Sequence, residues 1–279
     1  MSSTADQSRV IVLDRADSRL HAWVSGPTSA PLVVLVHGAT MDHLMFNGQL
    51  EPLLAAGYQV MAVDLRGHGE SKPLGLTTLT VSDLADDVLA LVDEEGVGQF
   101  VVVGQSLGGY VAQDLVLRYP ERITALGIIG STCTTAPISR WSLFLLRSSL
   151  TWFRWWPYRH LQETMVKSLA HSPEVRSYAR EAMNSLSKQE FLTVWEAVTR
   201  VARPQPGYRI EHPLLLTHGD HDQTGNIRKA APLWAARDPL ARYRVIPDAR
   251  HNANQDNPRF FNRVLMEFLT EHAPVTSTS

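Results

Sequence analysis

The chain is 279 residues long, 44% apolar and 19% charged, with a formal net charge of −2 at pH 7, the profile of a globular protein able to bury a large core. No block of Lys and Arg offers a nucleic-acid footprint, so no nucleic-acid partner is expected, and no run nears the roughly 18 apolar residues that cross a bilayer. The single cysteine, Cys133, excludes an internal disulfide and a cysteine pair for a metal; it reads as a small buried hydrophobe. The polar start Met1–Ser8 lacks the basic and apolar stretches of a secretory signal, so a cytoplasmic protein is expected.

Taken in order, apolar alternation at Val10–Leu13 and Leu20–Val24 predicts two half-exposed strands around a turn at Ala16–Ser18. Pro31 opens Leu32–Val36, an unbroken apolar run ending in His37-Gly38, as in a parallel strand covered on both faces. A helix over Asn47–Ala56 closed by Gly57, a strand over Tyr58–Asp64 and a helix over Val81–Glu94 stopped by Gly96 follow. Phe100–Val103 reads as a strand, Leu107–Tyr119 as a helix ended by Pro120, and Ala125–Gly130 as a further strand. From Thr132 to Glu211 the pattern is helical, with Pro204-Gln205-Pro206-Gly207 as the linker back. The strand–helix rhythm returns with Pro213–Thr217, a helix near Asn226–Ala236, a strand at Tyr243–Ile246 and a last helix over Pro258–His272. This alternation predicts an α/β fold: a mostly parallel, twisted sheet with helices on both faces. Residues 1–131 and 212–279 form the expected core domain, and residues 132–211 a helical cap insertion.

Gly104-Gln105-Ser106-Leu107-Gly108-Gly109 lies between the strand Phe100–Val103 and the helix that starts at Leu107. The string G-x-S-x-G is weak alone and strong in this place, because a serine on a sharp strand-to-helix turn needs small neighbours. Ser106 is therefore the candidate nucleophile. The helix start also aims free N–H groups, and the positive end of its dipole, at developing negative charge. Acyl transfer needs two such donors for the oxyanion. The N–H of Leu107 is one candidate; that of Ala39, in His37-Gly38-Ala39-Thr40, is the other.

A serine hydroxyl needs a base to take its proton, and the base needs an acid to orient it. Of eleven histidines, His251 falls between the last strand and the last helix, at the strand ends where ligands gather. Asp222, in Gly219-Asp220-His221-Asp222, follows the strand Pro213–Thr217 and is the expected acid, with Asp220 as its rival. The order Ser106, Asp222, His251 is the one this fold uses. His218, His221 and Asp222 suggest a metal cluster only superficially, since His218 ends a buried strand and His221 sits in a tight turn; no metal and no cofactor are expected.

On these residues the chain resembles the α/β-hydrolase fold superfamily, in its serine-nucleophile branch with a helical cap. The likeness runs from His37-Gly38 through Asp64-Leu65-Arg66-Gly67-His68-Gly69-Glu70-Ser71 and Gly104–Gly109 to Asp222 and His251. It implies an acyl-enzyme on Ser106 and, as expected substrate, a carboxylic ester with a small to medium apolar or aromatic group. Similar haloalkane dehalogenases and epoxide hydrolases carry Asp at the nucleophile position, which sets those activities aside. Carbon–carbon bond hydrolysis and cofactor-free, haloperoxidase-like perhydrolysis are the alternatives that similar proteins carry out with the same triad. Thioester hydrolysis and acyl transfer are also compatible with it, and a ligand-binding receptor with a slow triad is the non-enzyme reading. Asp64–Ser71 is assigned turn formation, with loop fixing by Arg66. Two departures stand out. His-Gly-Ala-Thr lacks the further glycines of lipase-like proteins, and Arg250 precedes His251 where a glycine is often nearby; a facing guanidinium would lower the imidazole pKa.

The segment Trp141–Trp156 holds four of the seven tryptophans. Trp141, Phe144, Leu145, Trp152 and Trp156 can share one helical face. Packing of the cap onto the core is the first reading. A substrate pocket lined by Trp141, Phe144, Leu145 and Trp152 is the second. Docking at a membrane interface, for which Trp beside Arg147 and Arg154 is suited, comes last. The expected partner is thus a small-molecule substrate, without membrane contact, for a monomer or homodimer.

Overall fold

The computed structural model describes residues 8–76 and 78–275; most of the polar start, Met1–Gln7, lies outside the described residues. Eight strands form one sheet in the order β1-β2-β4-β3-β5-β6-β7-β8. They are β1 (Arg9–Arg15), β2 (Ser18–Ser25), β3 (Leu32–Val36), β4 (Gln59–Asp64), β5 (Phe100–Gln105), β6 (Ile123–Ile129), β7 (Leu214–Gly219) and β8 (Ala241–Ile246). β1 pairs antiparallel with β2, and β2 with β4; every other neighbour is parallel. The hairpin between β1 and β2 turns on Ala16 and Asp17, both at positive φ (46° and 59°), which suits the twist of a two-residue connection. β5 runs two residues past the expected Val103, because Gly104 and Gln105 stay in the ladder opposite Ile128 and Ile129.

Helices cover both faces. Alternate residues of each central strand point to opposite sides, so Val34, Val36 and Val102 join one apolar cluster and Val33, Leu35, Val101 and Val103 the other. The first cluster is closed by α2 (Val81–Glu94), α3 (Leu107–Arg118) and α8 (Ile227–Arg237) through Leu84, Val88, Val111, Leu115 and Trp234. The second is closed by α1 (Asn47–Ala55) and α10 (Pro258–His272) through Leu53, Phe261, Leu265 and Phe268. A four-residue helix, α9 (Ala253–Asp256), escapes sequence reading because it is shorter than one period of an apolar pattern.

Between β6 and β7 lie α4 (Arg140–Trp155), α5 (Tyr158–Leu169), α6 (Pro173–Asn184) and α7 (Lys188–Thr199). Their entry and exit are stitched together, Arg203 N–H donating to Thr134 O (2.8 Å) and Gln205 N–H to Thr135 O (2.9 Å). These helices reach the loops that follow the strands. Tyr178 Oη bonds Asp42 Oδ1 (2.9 Å) after β3, Lys72 Nζ after β4 donates to Ser185 O (3.1 Å), and Asn252 N–H after β8 donates to Leu169 O (2.8 Å). The insertion has only a small apolar cluster of its own, around Leu161, Phe191 and Leu192; Val166, Leu169 and Met183 belong to one core cluster and Val194 and Ala197 to the other. It is fastened to the core rather than folded apart from it.

The aromatic segment departs from expectation. No residue of α4 is buried, and its inner face is the row Leu143, Leu146, Leu150 and Phe153, all half-buried, of which Leu150 and Phe153 pack in the cluster of Phe191 and Trp195 of α7. Ring centres lie 5.8 Å (Phe153–Phe191) and 5.1 Å (Phe153–Trp195) apart, and Trp195 Nε1 donates to Ser149 Oγ. Two apolar faces compete on this helix, and the leucine face is the one that packs. Trp141, Phe144, Leu145 and Trp152 stay exposed, as does Trp156, which overturns the core-packing reading. Cys133 is likewise half-buried rather than buried, with Arg237 Nη1 3.2 Å from its sulfur. No helix among the described residues is long and apolar enough to cross a membrane.

Candidate active site

The turn from β5 into α3 is tightly constrained backbone at the carboxyl edge of the sheet. Ser106 sits at φ 50°, ψ −108°, a conformation that costs about 1–3 kcal/mol for a residue with a Cβ and persists only where its surroundings enforce it. They do. Ser106 N–H donates to Ile129 O (2.8 Å), and Ser131 Oγ donates to Ser106 O (2.7 Å). A Cβ on Gly104 would stand 2.1 Å from Gly108 O, and one on Gly108 2.0 Å from Val36 O. The two glycines flanking the serine are therefore required by backbone contact, and Ser106 itself is left half-buried.

The loop after β3 closes on the same point. A Cβ on Gly38 would stand 3.3 Å from Ser106 Cβ. His37 holds this loop: its Nδ1–H donates to Gly38 O (2.7 Å), while Nε2 accepts from Leu65 N–H (2.9 Å). Only the neutral Nδ1–H tautomer makes both bonds. Complete burial pushes the His37 pKa down to about 4, against the upward pull of Asp64. Among the described residues neither Ala39 N–H nor Leu107 N–H donates to a protein acceptor, so both predicted oxyanion donors are free.

The loops after β7 and β8 bring together Asp222 and His251, the residues expected as acid and base. His251 Nδ1 lies 2.9 Å from Asp222 Oδ2, and both residues are buried. Burial pushes the Asp222 carboxyl up, but the imidazole beside it and the N–H of Thr224 (2.8 Å to Oδ1) outweigh that and hold it below its ordinary range. A charged Asp222 fixes the proton on Nδ1 and leaves Nε2 as a lone-pair acceptor. Gly219 makes this meeting possible: a Cβ there would fall 2.1 Å from Ala249 O and 2.2 Å from Arg250 O. The rival acid is otherwise engaged, Asp220 Oδ1 taking His221 Nδ1 (2.7 Å) and Ala249 N–H (3.0 Å).

Two observations join this pair to Ser106. Gln105, the residue before the serine, donates through Nε2 to His251 O (3.1 Å). A Cβ on Gly130, next to the Ser131 that supports the Ser106 carbonyl, would lie 3.1 Å from His251 Nδ1 and 3.4 Å from Asp222 Oδ2. Ser106 Oγ makes no hydrogen bond to His251. Gln105, Ser131 and His37 are the supporting residues that sequence reading did not assign; only His37 carried a visible signal, in His-Gly at a strand end.

The remaining expectations fall out as follows. Arg250 does not pair with His251; its Nη1 donates to Lys167 O of α5 (2.5 Å). His218 is occupied by Gly219 O and Tyr243 Oη, and no metal-ligand cluster occurs among the described residues. Arg66, fully buried, forks onto Asp87 with two 2.7 Å bonds and donates to Ala16 O (2.8 Å), which fixes the Asp64–Ser71 loop. Trp141, Phe144, Leu145 and Trp152 are on the outer side of α4, 52–73% exposed, and line no enclosed space with the triad. A cavity of about 70 Å³ lined by Thr80, Tyr110, Asp114 and Arg203 shares no residue with the site and is far below the several hundred Å³ of a typical ligand pocket.

Strand order, the strained serine turn and the loops gathered at the carboxyl edge define an α/β-hydrolase fold. The chain belongs to the serine aminopeptidase S33 family of hydrolases, whose model matches residues 27–257. It is 25% identical to epoxide hydrolase 4 of Homo sapiens over 91% of this chain and 76% of that protein. Its fold is shared by a thermophilic esterase from Thermogutta terrifontis (TM-score 0.79, 24% identity, 96% of this chain and 99% of that one). It is shared equally by the enol-lactonase from Burkholderia xenovorans LB400 (TM-score 0.80, 24% identity, 93% and 100%).

Proposed function

We propose that the protein hydrolyses carboxylic esters through an acyl-enzyme on Ser106, with His251 as general base and Asp222 as its orienting acid. The observation that carries this reading is the buried Asp222–His251 pair at 2.9 Å, tethered through Gln105 to a serine held at φ 50°. His251 Nε2 takes the Ser106 proton as Oγ attacks the carbonyl carbon. The N–H groups of Ala39 and Leu107 receive the oxyanion, each such donor contributing about 3–4 kcal/mol to the transition state. The imidazolium, stabilised by Asp222, then protonates the leaving alkoxide, and water activated by the same base releases the acid. Residues 132–211 act in this reading as a cap over the strand ends.

Ester cleavage is favoured over epoxide opening by the chemistry of the nucleophile. A carboxylate that opens an epoxide leaves an ester, which water can cleave by attack at its carbonyl. A serine oxygen would leave an ether, which this machinery has no means to cleave. The fold neighbours named as an esterase and an enol-lactonase agree with the ester reading.

The test is an aryl ester series, from acetate to octanoate and benzoate, on wild-type protein and Ser106→Ala. The expected loss in the variant is roughly 10⁴–10⁶-fold in kcat, with fluorophosphonate labelling of the wild type alone. Near-full activity in Ser106→Ala would sink the mechanism. Parallel assays on an aminoacyl arylamide, a ring-fission diketone and peroxide with acetate separate the ester reading from peptidase, carbon–carbon and perhydrolase chemistry; the highest kcat/KM names the bond.

A further inference from the structure

The outer face of α4 is apolar in a way that neither the fold nor the proposed site uses. Trp141, Phe144, Leu145, Trp152 and Trp155 are 67%, 58%, 52%, 73% and 82% exposed. At 100° per residue they fall, with Ser148, within an arc of about 100°, on a stripe roughly 21 Å long. The stripe lies opposite the half-buried row Leu143, Leu146, Leu150 and Phe153, whose Leu150 and Phe153 pack on α7. Together the five side chains present on the order of 600 Å² of apolar surface, at or beyond the largest patch ordinarily left on a monomer. Trp155 takes the place expected of Trp156, which sits just past the helix end.

The charge around the stripe is one-sided. Arg140, Arg147 and Arg154 stand seven residues apart on one flank, and none has an acidic partner among the described residues. No Asp or Glu occurs from Thr132 to Gln162. A second copy of this helix would bring three more guanidinium groups and no carboxylate, so self-pairing finds no counter-charge. An anionic lipid surface supplies what is missing on both counts. Indole and phenyl rings favour the headgroup layer, and guanidinium groups pair with phosphates there. α4 is also too short and too charged to span a bilayer, so it would lie in the plane of the interface.

We propose that α4 is an interfacial docking helix for anionic phospholipid bilayers, with the aromatic stripe entering the headgroup layer and the arginine flank on the phosphates. This reverses the ranking the sequence suggested, because the side chains read there as core packing or pocket lining are exposed. It is independent of the ester reading.

The test is flotation of the full chain with vesicles of neutral phosphatidylcholine and of the same lipid carrying one-quarter phosphatidylglycerol. Binding should be at least tenfold stronger to the anionic vesicles and fall with salt. Trp152→Gln with Trp155→Gln should weaken it at least tenfold, and Arg147→Gln with Arg154→Gln should remove the preference for anionic lipid; circular dichroism melts of both variants control for folding. Absence of binding at millimolar anionic lipid, or binding that neither variant changes, overturns the proposal. So does a sedimenting dimer that the tryptophan variant dissociates, since the stripe would then be a self-association surface.

Discussion

The carboxyl rim of the sheet, built of His, Asp, Gln and Ser, and the outer face of α4, built of Trp, Phe and Arg, are held in opposite ways. At the rim His37, Asp222, Asp220, Gln105 and Ser131 each have a partner within 3.1 Å. The Ala39 and Leu107 N–H donors and the Ser106 hydroxyl, which the proposed reaction needs, are left without one, as are the Thr40 hydroxyl and Asn252 Oδ1 beside them. On α4 the unpartnered groups form a continuous surface instead. A site for bond-making chemistry is pinned so that a few atoms stay free; a surface for docking leaves a whole face free. Substitutions should therefore act steeply at the rim and weakly on α4.

The largest expected effect separates two carboxylates two residues apart. Asp222→Asn keeps the size of the side chain but removes the charge that fixes the His251 tautomer, and kcat should fall about 10⁴-fold, as in other triads so altered. Asp220→Asn takes the charge from an oxygen that serves only the Ala249 N–H and His221, and its kcat should stay within about tenfold of wild type. Steady-state kinetics on one activated ester decides it. Equal losses in the two variants would mean that the rim is not organised around the Asp222–His251 pair.

The same contrast explains what the sequence made legible. Strand and helix periodicity located the β5–α3 turn and the loops after β7 and β8, so Ser106, Asp222 and His251 could be chosen by position in a repeating scaffold. Gln105 and Ser131 could not, because their roles depend on which loops meet across the strand ends, and that is set by the sheet order. In α4 periodicity misled. Leu143, Leu146, Leu150 and Phe153 share the same period as Trp141, Phe144 and Trp152, offset by about half a turn. Hydrophobicity alone does not say which stripe faces α7. The choice follows from the partner, where Phe191 and Trp195 take the Phe153 ring between them and Leu150 joins the same cluster.

An intermediate effect tests how tightly the rim is pinned from behind. His68 packs edge-on to His37 at 5.0 Å, and burial pushes its pKa down to about 3. Both histidines are neutral when folded and titrate near 6.5 when unfolded, so the unfolded chain binds more protons between those values. Their contribution to stability therefore rises with pH from about 4 to 6.5 and is lost as pH falls through that window. Between pH 7 and 5 each histidine should account for about 2 kcal/mol. His68→Phe should flatten the urea-measured stability difference across that interval by about that amount, whatever it does to stability at pH 7. The depressed Asp64 carboxyl acts below its ordinary value of 3.8, outside the window. An unchanged pH dependence in the variant would remove His68 as a contributor.

The smallest expected effect lies two residues from a large one. Phe153 faces inward on α4 against Phe191 and Trp195, and Phe153→Ala should destabilise by roughly 2–3 kcal/mol, the lower end for a core phenyl because the ring is half-buried. Trp155, 82% exposed, packs on nothing that unfolding would expose further, so Trp155→Gln should stay within about 0.5 kcal/mol of wild type in urea. Neighbouring aromatic residues of similar bulk would then differ several-fold in their effect on folding, for the sole reason that one has a partner in the protein. If Trp155→Gln destabilised as much as Phe153→Ala, the outer face of α4 would be packed in solution, and a lipid surface would have nothing left to bind.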